Sequence, residues 1–432
     1  MNSREYTAAI ANGELDGIFS RLYGSGEVLS ARDRYTKLIG DFEYLYGKDR
    51  EVSLFSVPGR SEISGNHTDH NHGKVLAASV NLDIIAVASR SSSGEIHVKS
   101  RGFSEDVVRL GNPGESSQKF RSKALLMGVC DGFRKNGFNI GAFDAFTDSK
   151  VFKGSGLSSS AAFEDMIGTI INHLYNGGRV DFIRISQISR YAENVFFGKP
   201  SGLMDQIACA AGGFVGIDFG KEEPDVRRIE LDLKKIGYEL IIINTGGNHA
   251  DLNDDYASVP AEMKAVAGFF GKEYLREVDE NDFSASVGAL RKYLSELSDR
   301  KVMCDRAILR AYHFFEENKR VERQITALEN GDVAGFLDGV RRSGESSFQW
   351  LQNIYSCKAP DEQGLSLALM ICEKYLSGKN AAWRVHGGGF AGTVQAFVPT
   401  EYADGFMEKV RQVFGKDSAV RLFIRQTGAC VL

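Results

Sequence analysis

The chain has 432 residues, 43% of them hydrophobic and 25% charged, which is the composition of a globular protein with two or three domains. Its net charge of -5, without any block of Lys and Arg, argues against a nucleic-acid-binding surface. The cysteines are scattered without a Cys-x-x-Cys pair, which is typical of reduced thiols and not of zinc ligands or disulfides. The polar N-terminus lacks a signal-peptide core, and no later run is long enough to span a bilayer. These features predict a cytoplasmic protein without membrane or nucleic-acid partners.

The first half of the sequence predicts both helices and strands. Residues 1–46 have apolar side chains at helical spacing and predict a helical lead-in with no obvious chemistry. The next predicted elements are a strand that stops at Pro58-Gly59, two further strands, a helix and a strand: 52–57, 84–88, 96–98, 118–135 and 142–146. Apolar residues between Ala162 and Leu174 then recur three and four apart, which predicts a buried helix.

The second half changes from strand-rich to helix-rich composition. The predicted elements are helix 182–196, strands within 213–243, helical segments 306–320 and 322–341 within a mostly helical 253–378, strands 383–386, 393–397 and 420–423, and helix 402–414. The change predicts a boundary near residue 235, between an N-terminal domain (1–235) and a C-terminal domain (236–432).

A glycine- and serine-rich stretch precedes the predicted buried helix. It consists of Gly154, Ser155, Gly156, Leu157, Ser158, Ser159, Ser160, Ala161 and Ala162. Glycines let the backbone approach a bulky ligand, and a helix N-terminus adds unpaired N–H groups and partial positive charge, which suits a phosphate. The order of a Walker loop is missing, so a P-loop NTPase is excluded. Taken alone, the stretch is equally typical of an ordinary capped helix.

Polar residues crowd the stretch 58–73, which is interpreted as a short loop. Arginine, carboxylate, amide and imidazole groups together suit a polyhydroxylated ligand held by oriented hydrogen bonds. Two alternatives are a solvated loop and a metal site, although the spacing of the candidate metal ligands fits no common zinc pattern. Those candidates are His67, Asp69, His70 and His72.

Two further stretches carry weaker signals. Asp205 lies among apolar and small residues, and a buried carboxylate there needs a partner, for which Arg60 is the candidate. An Asp that caps a helix is the alternative interpretation. The glycine run 387–392 is either a tight turn or a surface against which another group packs.

Together, the four stretches resemble the GHMP kinases, and within them the galactokinases most closely. The galactokinase signature Pro-Gly-Arg…Gly-x-His-Thr-Asp…Asn-x-Gly is matched by Pro58, Gly59, Arg60, Gly65, His67, Thr68, Asp69, Asn71 and Gly73. The family's phosphate loop resembles 154–161, its Gly-x-Met-Asp-Gln segment matches Gly202 and 204–206, and its third glycine motif is similar to 387–392. The likeness covers nearly everything after about residue 42.

The resemblance implies a two-domain α+β GHMP kinase-like fold with the active site between the domains. It implies that Asp205 accepts or orients the proton of a sugar hydroxyl while Arg60 steadies it, and that ATP and Mg²⁺ are required. The implied ATP-binding residues are Gly154, Ser155, Gly156, Leu157, Ser158, Ser159 and Ser160. The implied Mg²⁺ ligands are Ser160 and Glu193, with Ser159 as an alternative to Ser160. The implied sugar-binding residues are Asn66, His67, Asp69, His70 and Tyr256.

The sequence departs from the galactokinase pattern at the sugar site. Asn66 replaces a glutamate that in the family faces the sixth carbon of the hexose, and His70 replaces a tyrosine. Loss of that negative charge leaves room for a sugar that is anionic at this end. The expected activity is phosphorylation of the anomeric hydroxyl of galactose. The alternatives are a kinase for another sugar such as galacturonate and a non-catalytic sensor of sugar and ATP, and both a monomer and a homodimer stay open.

Overall fold

The computed structural model describes residues 1–110, 119–151, 156–199, 201–247, 252–297 and 303–432. Helices and strands are interleaved along these ranges, which confirms the predicted α+β class. The strands are β1 (Ser53–Ser64), β2 (Lys74–Arg90), β3 (Glu95–Ser100), β4 (Glu105–Arg109), β5 (Phe143–Ser149), β6 (Phe214–Asp218), β7 (Asp225–Ile229), β8 (Tyr238–Asn244), β9 (Ala382–His386), β10 (Thr393–Pro399), β11 (Ala419–Leu422) and β12 (Cys430–Val431).

The helices are α1 (Ser3–Ala11), α2 (Asp16–Tyr23), α3 (Val28–Tyr46), α4 (Ser122–Lys135), α5 (Ser159–Asn176), α6 (Phe182–Tyr191), α7 (Met204–Ala211), α8 (Asn253–Phe269), α9 (Glu280–Glu296), α10 (Cys304–Glu329), α11 (Val333–Ser346), α12 (Gly364–Leu376) and α13 (Thr400–Phe414). A π-helical turn, Ala192–Phe197, follows α6. No helix among the described residues combines the length and the apolar character needed to cross a bilayer.

Two sheets organise these elements. The first has the order β12-β1-β2-β5-β3-β4, with β6 paired to β2 and β7 paired to β6, and the second has the order β11-β8-β10-β9. The strands of the second sheet all follow residue 235, whereas β12 returns to pair with β1. The division into domains at residue 235 stays a prediction.

The first sheet separates the helical lead-in from α5. Successive side chains of a strand point to opposite faces. On β1, Leu54 packs in one core with Tyr35 and Phe42 of α3, while Phe55 packs in another core with Ile167 of α5. The predicted lead-in therefore covers one face of this sheet and the predicted buried helix covers the other.

The predicted end of the first strand is wrong. β1 continues through Pro58 and Gly59 to Ser64, so the first part of the stretch interpreted as a loop is strand. The register with β2 shifts between Pro58 and Arg60, and such an irregularity accommodates a residue that has no N–H to donate. As a result, Arg60 and Glu62 are fixed on a buried strand.

The predicted segments 306–320 and 322–341 also have the wrong boundary. The structure has one helix, α10, as far as Glu329, and then α11 from Val333. The break falls at Gly331, whose φ of 68° is left-handed, and at Asp332, which caps α11 by accepting a hydrogen bond from Gly335 N at 2.9 Å. Chain reversal therefore occurs at this turn and not at residue 321.

Candidate active site

Arg60 and Asp205, the predicted partners, are in contact. Arg60 lies on β1 and Asp205 in the first turn of α7, 145 positions later. Arg60 Nε donates to Asp205 Oδ1 at 2.7 Å, and Nη1 donates to the carbonyl of Gly156. The Arg60 side chain is 7% exposed, whereas that of Asp205 is 25% exposed. The pair therefore joins β1, the glycine loop and α7, and leaves part of the carboxylate open to a ligand.

The surroundings keep Asp205 ionised. Burial acts to raise its pKa, but the charge of Arg60 and the hydroxyl of Ser158, which donates to Oδ2, outweigh burial and lower the pKa of Asp205 below its ordinary value. An ionised and partly exposed carboxylate can accept a hydrogen bond from a substrate hydroxyl and then its proton.

The glycine loop runs from the Arg60–Asp205 pair into α5. Gly154 and Ser155 lie outside the described residues, and the loop is described from Gly156. Ser158 is left-handed with φ of 57°, and α5 begins at the next residue. The first N–H groups of a helix have no partner within it, and its N-terminus is partially positive. The described part of the loop therefore provides an environment that favours an anion.

Glu193 lies in the π-helical turn after α6 and faces this loop. Its carboxylate is 2% exposed and accepts hydrogen bonds from Ser160 Oγ at 3.1 Å and from Gln206 Nε2 at 3.0 Å. Lys199 Nζ lies 3.0 Å from Glu193 Oε1. Carboxylate and hydroxyl oxygens are the ligands that Mg²⁺ prefers, and the ammonium marks the position as one that holds a cation. Sequence reasoning missed Lys199, because a lysine six positions after Glu193 carries no motif signal.

The stretch 65–73 contributes a second polar wall. A side chain on Gly202 would overlap Asp69 Oδ2, so the glycine is required for Asp69 to approach α7. His67 has a left-handed backbone with φ of 58°, and its Nε2–H donates to the carbonyl of Gly388 at 2.9 Å. Burial lowers the pKa of His67, so the imidazole is neutral and acts as a donor.

The third glycine run supports this wall from the other side. Tyr256 Oη donates to the carbonyl of Gly389 at 2.9 Å, and a side chain on Gly388 would overlap the Tyr256 ring. The side chain of His386 hydrogen-bonds to Thr393 and Ser61 and lies next to Gly156 of the glycine loop. Burial, and next the positive charge of Arg60, lower the pKa of His386 to about 3. Both interpretations of this run agree with the structure, because it forms the turn between the antiparallel strands β9 and β10 and Tyr256 packs against it.

Asn66 is not placed as the sequence led us to expect. Its side chain is fully buried: Nδ2 donates to Glu62 Oε1 at 2.7 Å and to the carbonyl of Gly387 at 2.8 Å, and Oδ1 accepts from Asn353 Nδ2 at 2.6 Å. The expected loss of negative charge at this point is wrong, because the carboxylate of Glu62 lies beside the amide. Sequence reasoning missed Glu62 because it ended β1 at Pro58; a longer strand places Glu62 on the same face as Arg60.

The remaining histidines of the stretch lie towards its outer side. His70 is 35% exposed in its side chain, with Nε2 3.7 Å from Asp69 Oδ1. His72 stacks on Tyr274 at a centroid distance of 3.9 Å. Across the described residues, no group of three or more His, Cys, Asp or Glu side chains is arranged to hold a metal ion.

Two family models match this chain. The galactokinase galactose-binding signature matches residues 40–90, which contain β1, Arg60 and Asp69. The model of the GHMP kinases N terminal domain matches residues 124–213, which contain the glycine loop and Asp205. The two models thus cover both walls of the site.

Curated relatives and solved structures agree with these matches. The chain is 30% identical to the galactokinase of Streptomyces coelicolor over 378 residues, 86% of this chain and 91% of the relative, and 28% identical to that of Clostridium beijerinckii over 384 residues, 87% and 92%. The fold is similar to that of Lactococcus lactis galactokinase complexed with galactose, with a TM-score of 0.76 at 22% identity over 92% of this chain and 100% of that one. It is also similar to Methanococcus jannaschii mevalonate kinase, with a TM-score of 0.58 at 14% identity over 86% and 98%. The chain therefore belongs to the galactokinase family of the GHMP kinases.

Proposed function

We propose that the protein transfers the γ-phosphoryl group of ATP to the anomeric hydroxyl of galactose, giving galactose 1-phosphate and ADP. The observation that carries the proposal is the contact of Arg60 with both Asp205 and the carbonyl of Gly156, since it joins a hydroxyl-orienting carboxylate to the anion-favouring loop. The galactokinase relatives and the galactose-binding signature support the choice of sugar.

In the proposed reaction, the anomeric oxygen bonds to the γ-phosphorus while the bond from that phosphorus to the β–γ bridging oxygen breaks. The hydroxyl proton passes to Asp205, and ADP leaves. The lowered pKa of Asp205 makes it a weak base, so we expect it to orient the hydroxyl first and to take the proton late, once the new bond has made the hydroxyl acidic. Arg60 holds the carboxylate in place and opposes the negative charge of the transferred group.

Ser160 and Glu193 are the residues we propose for Mg²⁺, because their oxygens fit such an ion and the ammonium of Lys199 already places a cation beside Glu193. Mg²⁺ bound there would neutralise charge on the phosphate oxygens. The hydrogen bond between Ser160 and Glu193 supports Ser160 over Ser159 as the ligand. For ATP we propose the backbone of the loop 154–160. His67, Asp69, His70 and Tyr256 are proposed to hold sugar hydroxyls, with Asn66 as their support.

We also propose a division of the chain at residue 235 and a cytoplasmic location. The location follows from the use of ATP and from the free state of all the cysteines.

The test is release of ADP by the purified protein with a panel of aldoses and uronic acids, with the product identified by ³¹P NMR. We expect turnover with galactose and a sugar 1-phosphate as product. Turnover with none of the sugars would contradict the kinase and favour a sensor, and turnover with galacturonate alone would replace galactose.

The variant Asp205→Ala tests the residue that carries the proposal. We expect kcat to fall by about 10²–10⁴-fold or more while ATP binding, measured by calorimetry, is retained. Asp232→Ala is the matched control, because this carboxylate is 47% exposed and its ion-pair partner is Lys235, which is 84% exposed. Near-normal turnover in Asp205→Ala would remove Asp205 from the mechanism.

A further inference from the structure

Glu62 is a buried carboxylate that the reaction described above does not use. It lies two residues after Arg60 on β1, and residues two apart on a strand share a face and are separated by about 7 Å. The residue is only 5% exposed. A ligand whose reacting hydroxyl meets Arg60 and Asp205 therefore has its opposite end, one sugar ring away, within reach of Glu62.

One oxygen of Glu62 is left for a ligand. Oε1 accepts a hydrogen bond from Asn66 Nδ2 at 2.7 Å. Within the described part of the chain, Oε2 has no hydrogen-bond donor, and it is not among the polar atoms that are fully enclosed without a partner. Oε2 is therefore an unused acceptor that keeps some exposure, on a side chain that is more than nine-tenths buried.

The charge of Glu62 is not cancelled by a close ion pair. Arg384 is the nearest cation, with Nη2 3.8 Å from Oε1, beyond ordinary hydrogen-bonding distance. The other nitrogens of Arg384 donate elsewhere, Nε to the carbonyl of Val385 at 2.9 Å and Nη1 to Ser343 Oγ at 2.9 Å. Burial above all, and also the negative charge of Asp69, raise the pKa of Glu62, while Arg384 and Arg60 act in the opposite direction. A ligand hydroxyl can therefore donate a hydrogen bond to Glu62, whereas a second anion beside it is repelled.

We propose that Glu62 is a specificity-determining residue: Oε2 accepts a hydrogen bond from the hydroxyl at the end of the sugar opposite the reacting one, and the charge excludes uronic acids. This inference rests on the proposed function and deepens it, because it restricts the substrates to neutral sugars that carry this hydroxyl. Asn66 acts through Glu62 and is a positioning residue in this account.

The experiment compares the wild-type protein with Glu62→Gln, whose amide keeps the size of the side chain. Three sugars are used: galactose, 6-deoxygalactose and galacturonate. Binding of each is measured by calorimetry without ATP, and kcat/KM by release of ADP. For the wild type we expect galactose to be preferred over 6-deoxygalactose by about 10–100-fold, the effect of a hydrogen bond to a charged group. For Glu62→Gln we expect that preference to shrink to a few-fold and the binding of galacturonate to increase.

The matched control is Glu317→Gln, a second buried carboxylate next to the same stretch. Glu317 Oε1 accepts from Gly65 N at 2.9 Å and from Ser343, and its Oε2 accepts from Arg320, so both of its oxygens are used within the protein. We expect this variant to weaken the binding of all three sugars to the same extent. Equal weakening of all three by Glu62→Gln would overturn the proposal, as would an unchanged preference for galactose. Failure of the proposed function is distinct, because the wild type itself would then turn over no sugar.

Discussion

Arg60 Nε lies 2.7 Å from Asp205 Oδ1, and the same guanidinium donates to the carbonyl of Gly156. One buried side chain thus holds the proposed base and the backbone of the proposed phosphate loop in a fixed relation. Any substitution of Arg60 affects both the Asp205 carboxylate and the loop backbone at Gly156, and the pH dependence of kcat separates these two effects.

Arg60→Gln is expected to add an acid limb to the pH profile of kcat. In the wild type, Arg60 and Ser158 outweigh burial and lower the pKa of Asp205, so the carboxylate stays ionised at pH values below the usual range for an aspartate. Without the guanidinium, the hydroxyl of Ser158 and the charge of Lys199 still oppose burial, but the largest opposing contribution is lost and the pKa rises. We expect kcat to fall by about 10²–10³-fold at pH 8 and to fall further as the pH is lowered.

The control for that prediction is Ser158→Ala, which removes only the hydroxyl that donates to Asp205 Oδ2. This hydroxyl lowers the pKa of Asp205 less than Arg60 does, so we expect a smaller displacement of the acid limb in the pH profile of kcat. A pH profile of Arg60→Gln parallel to that of the wild type would show that Arg60 does not set the protonation of Asp205.

Gly202→Ala is expected to weaken sugar binding. The new methyl group would overlap Asp69 Oδ2, so either Asp69 or the start of α7 must move. Because displacements of about 1 Å near a reacting group can cost 10²-fold, we expect kcat/KM for the sugar to fall by about that factor, with a smaller change in the KM for ATP. Initial rates at varied sugar and varied ATP make the comparison.

Gly268→Ala is the matched control, because a methyl group there meets no atom within 4 Å. Its position in α8 favours alanine by about 0.5–1 kcal/mol, so kinetics should be unchanged and stability slightly increased. Unaltered sugar kinetics in Gly202→Ala would mean that Asp69 lies outside the sugar site.

Much of the site could be predicted from the sequence because its residues come in short stretches of distinctive composition. The contact between Arg60 and Asp205 was predictable, since a carboxylate among small and apolar residues requires a cation. The start of α5 directly after the glycine loop was predictable from the apolar spacing that follows it. Both predictions rest on the composition of short stretches, which can be recognised without knowing the contacts made by the rest of the chain.

Other features depend on contacts that no local pattern encodes. The strand β1 passes through Pro58 because a register shift against β2 absorbs the missing donor, and sequence alone shows only the proline. The role of Asn66 was misjudged because its partner Glu62 is defined by the geometry of that strand. Lys199 was missed because its carboxylate partner, Glu193, lies across a π-helical turn.

Lys199→Met is expected to tighten binding of a divalent cation. Lys199 Nζ donates a hydrogen bond to Glu193 Oε1 and therefore competes with the proposed Mg²⁺ for this oxygen. The lysine side chain is 53% exposed, so the competition is modest, and its removal should lower the Mg²⁺ concentration for half-maximal rate by about twofold to fivefold.

A titration with Mn²⁺ followed by electron paramagnetic resonance gives a measurement of this effect that does not depend on turnover. Lys135→Met is the control, because Lys135 is an exposed lysine paired with Asp131 at 3.0 Å, outside the site. Weaker binding of Mn²⁺ in Lys199→Met would show that the lysine supports the cation site and does not compete with it.

Asp83→Asn is expected to destabilise the fold without altering the site. The carboxylate of Asp83 is fully buried on β2 and accepts hydrogen bonds from Arg34 of α3 at 2.5 Å and from Arg425 near the C-terminus at 3.2 Å. The amide would leave these guanidiniums without their shared counter-charge, which costs about 3–5 kcal/mol in the free energy of unfolding. Urea denaturation followed by fluorescence provides the measurement.

The pH dependence of the same transition has a definite sign. Burial opposes ionisation of Asp83, but Arg34 and Arg425 outweigh burial and lower its pKa in the folded protein. Its stabilising contribution is therefore present above the unfolded pKa of about 3.9 and is lost as the pH falls through the folded value. In Asp83→Asn this component of acid sensitivity should disappear. The control is Asp16→Asn, which weakens a partly exposed pair with Arg32 of α3 and should change the unfolding midpoint much less. Equal stability of the two variants at pH 7 would mean that the buried cluster does not anchor the helical lead-in.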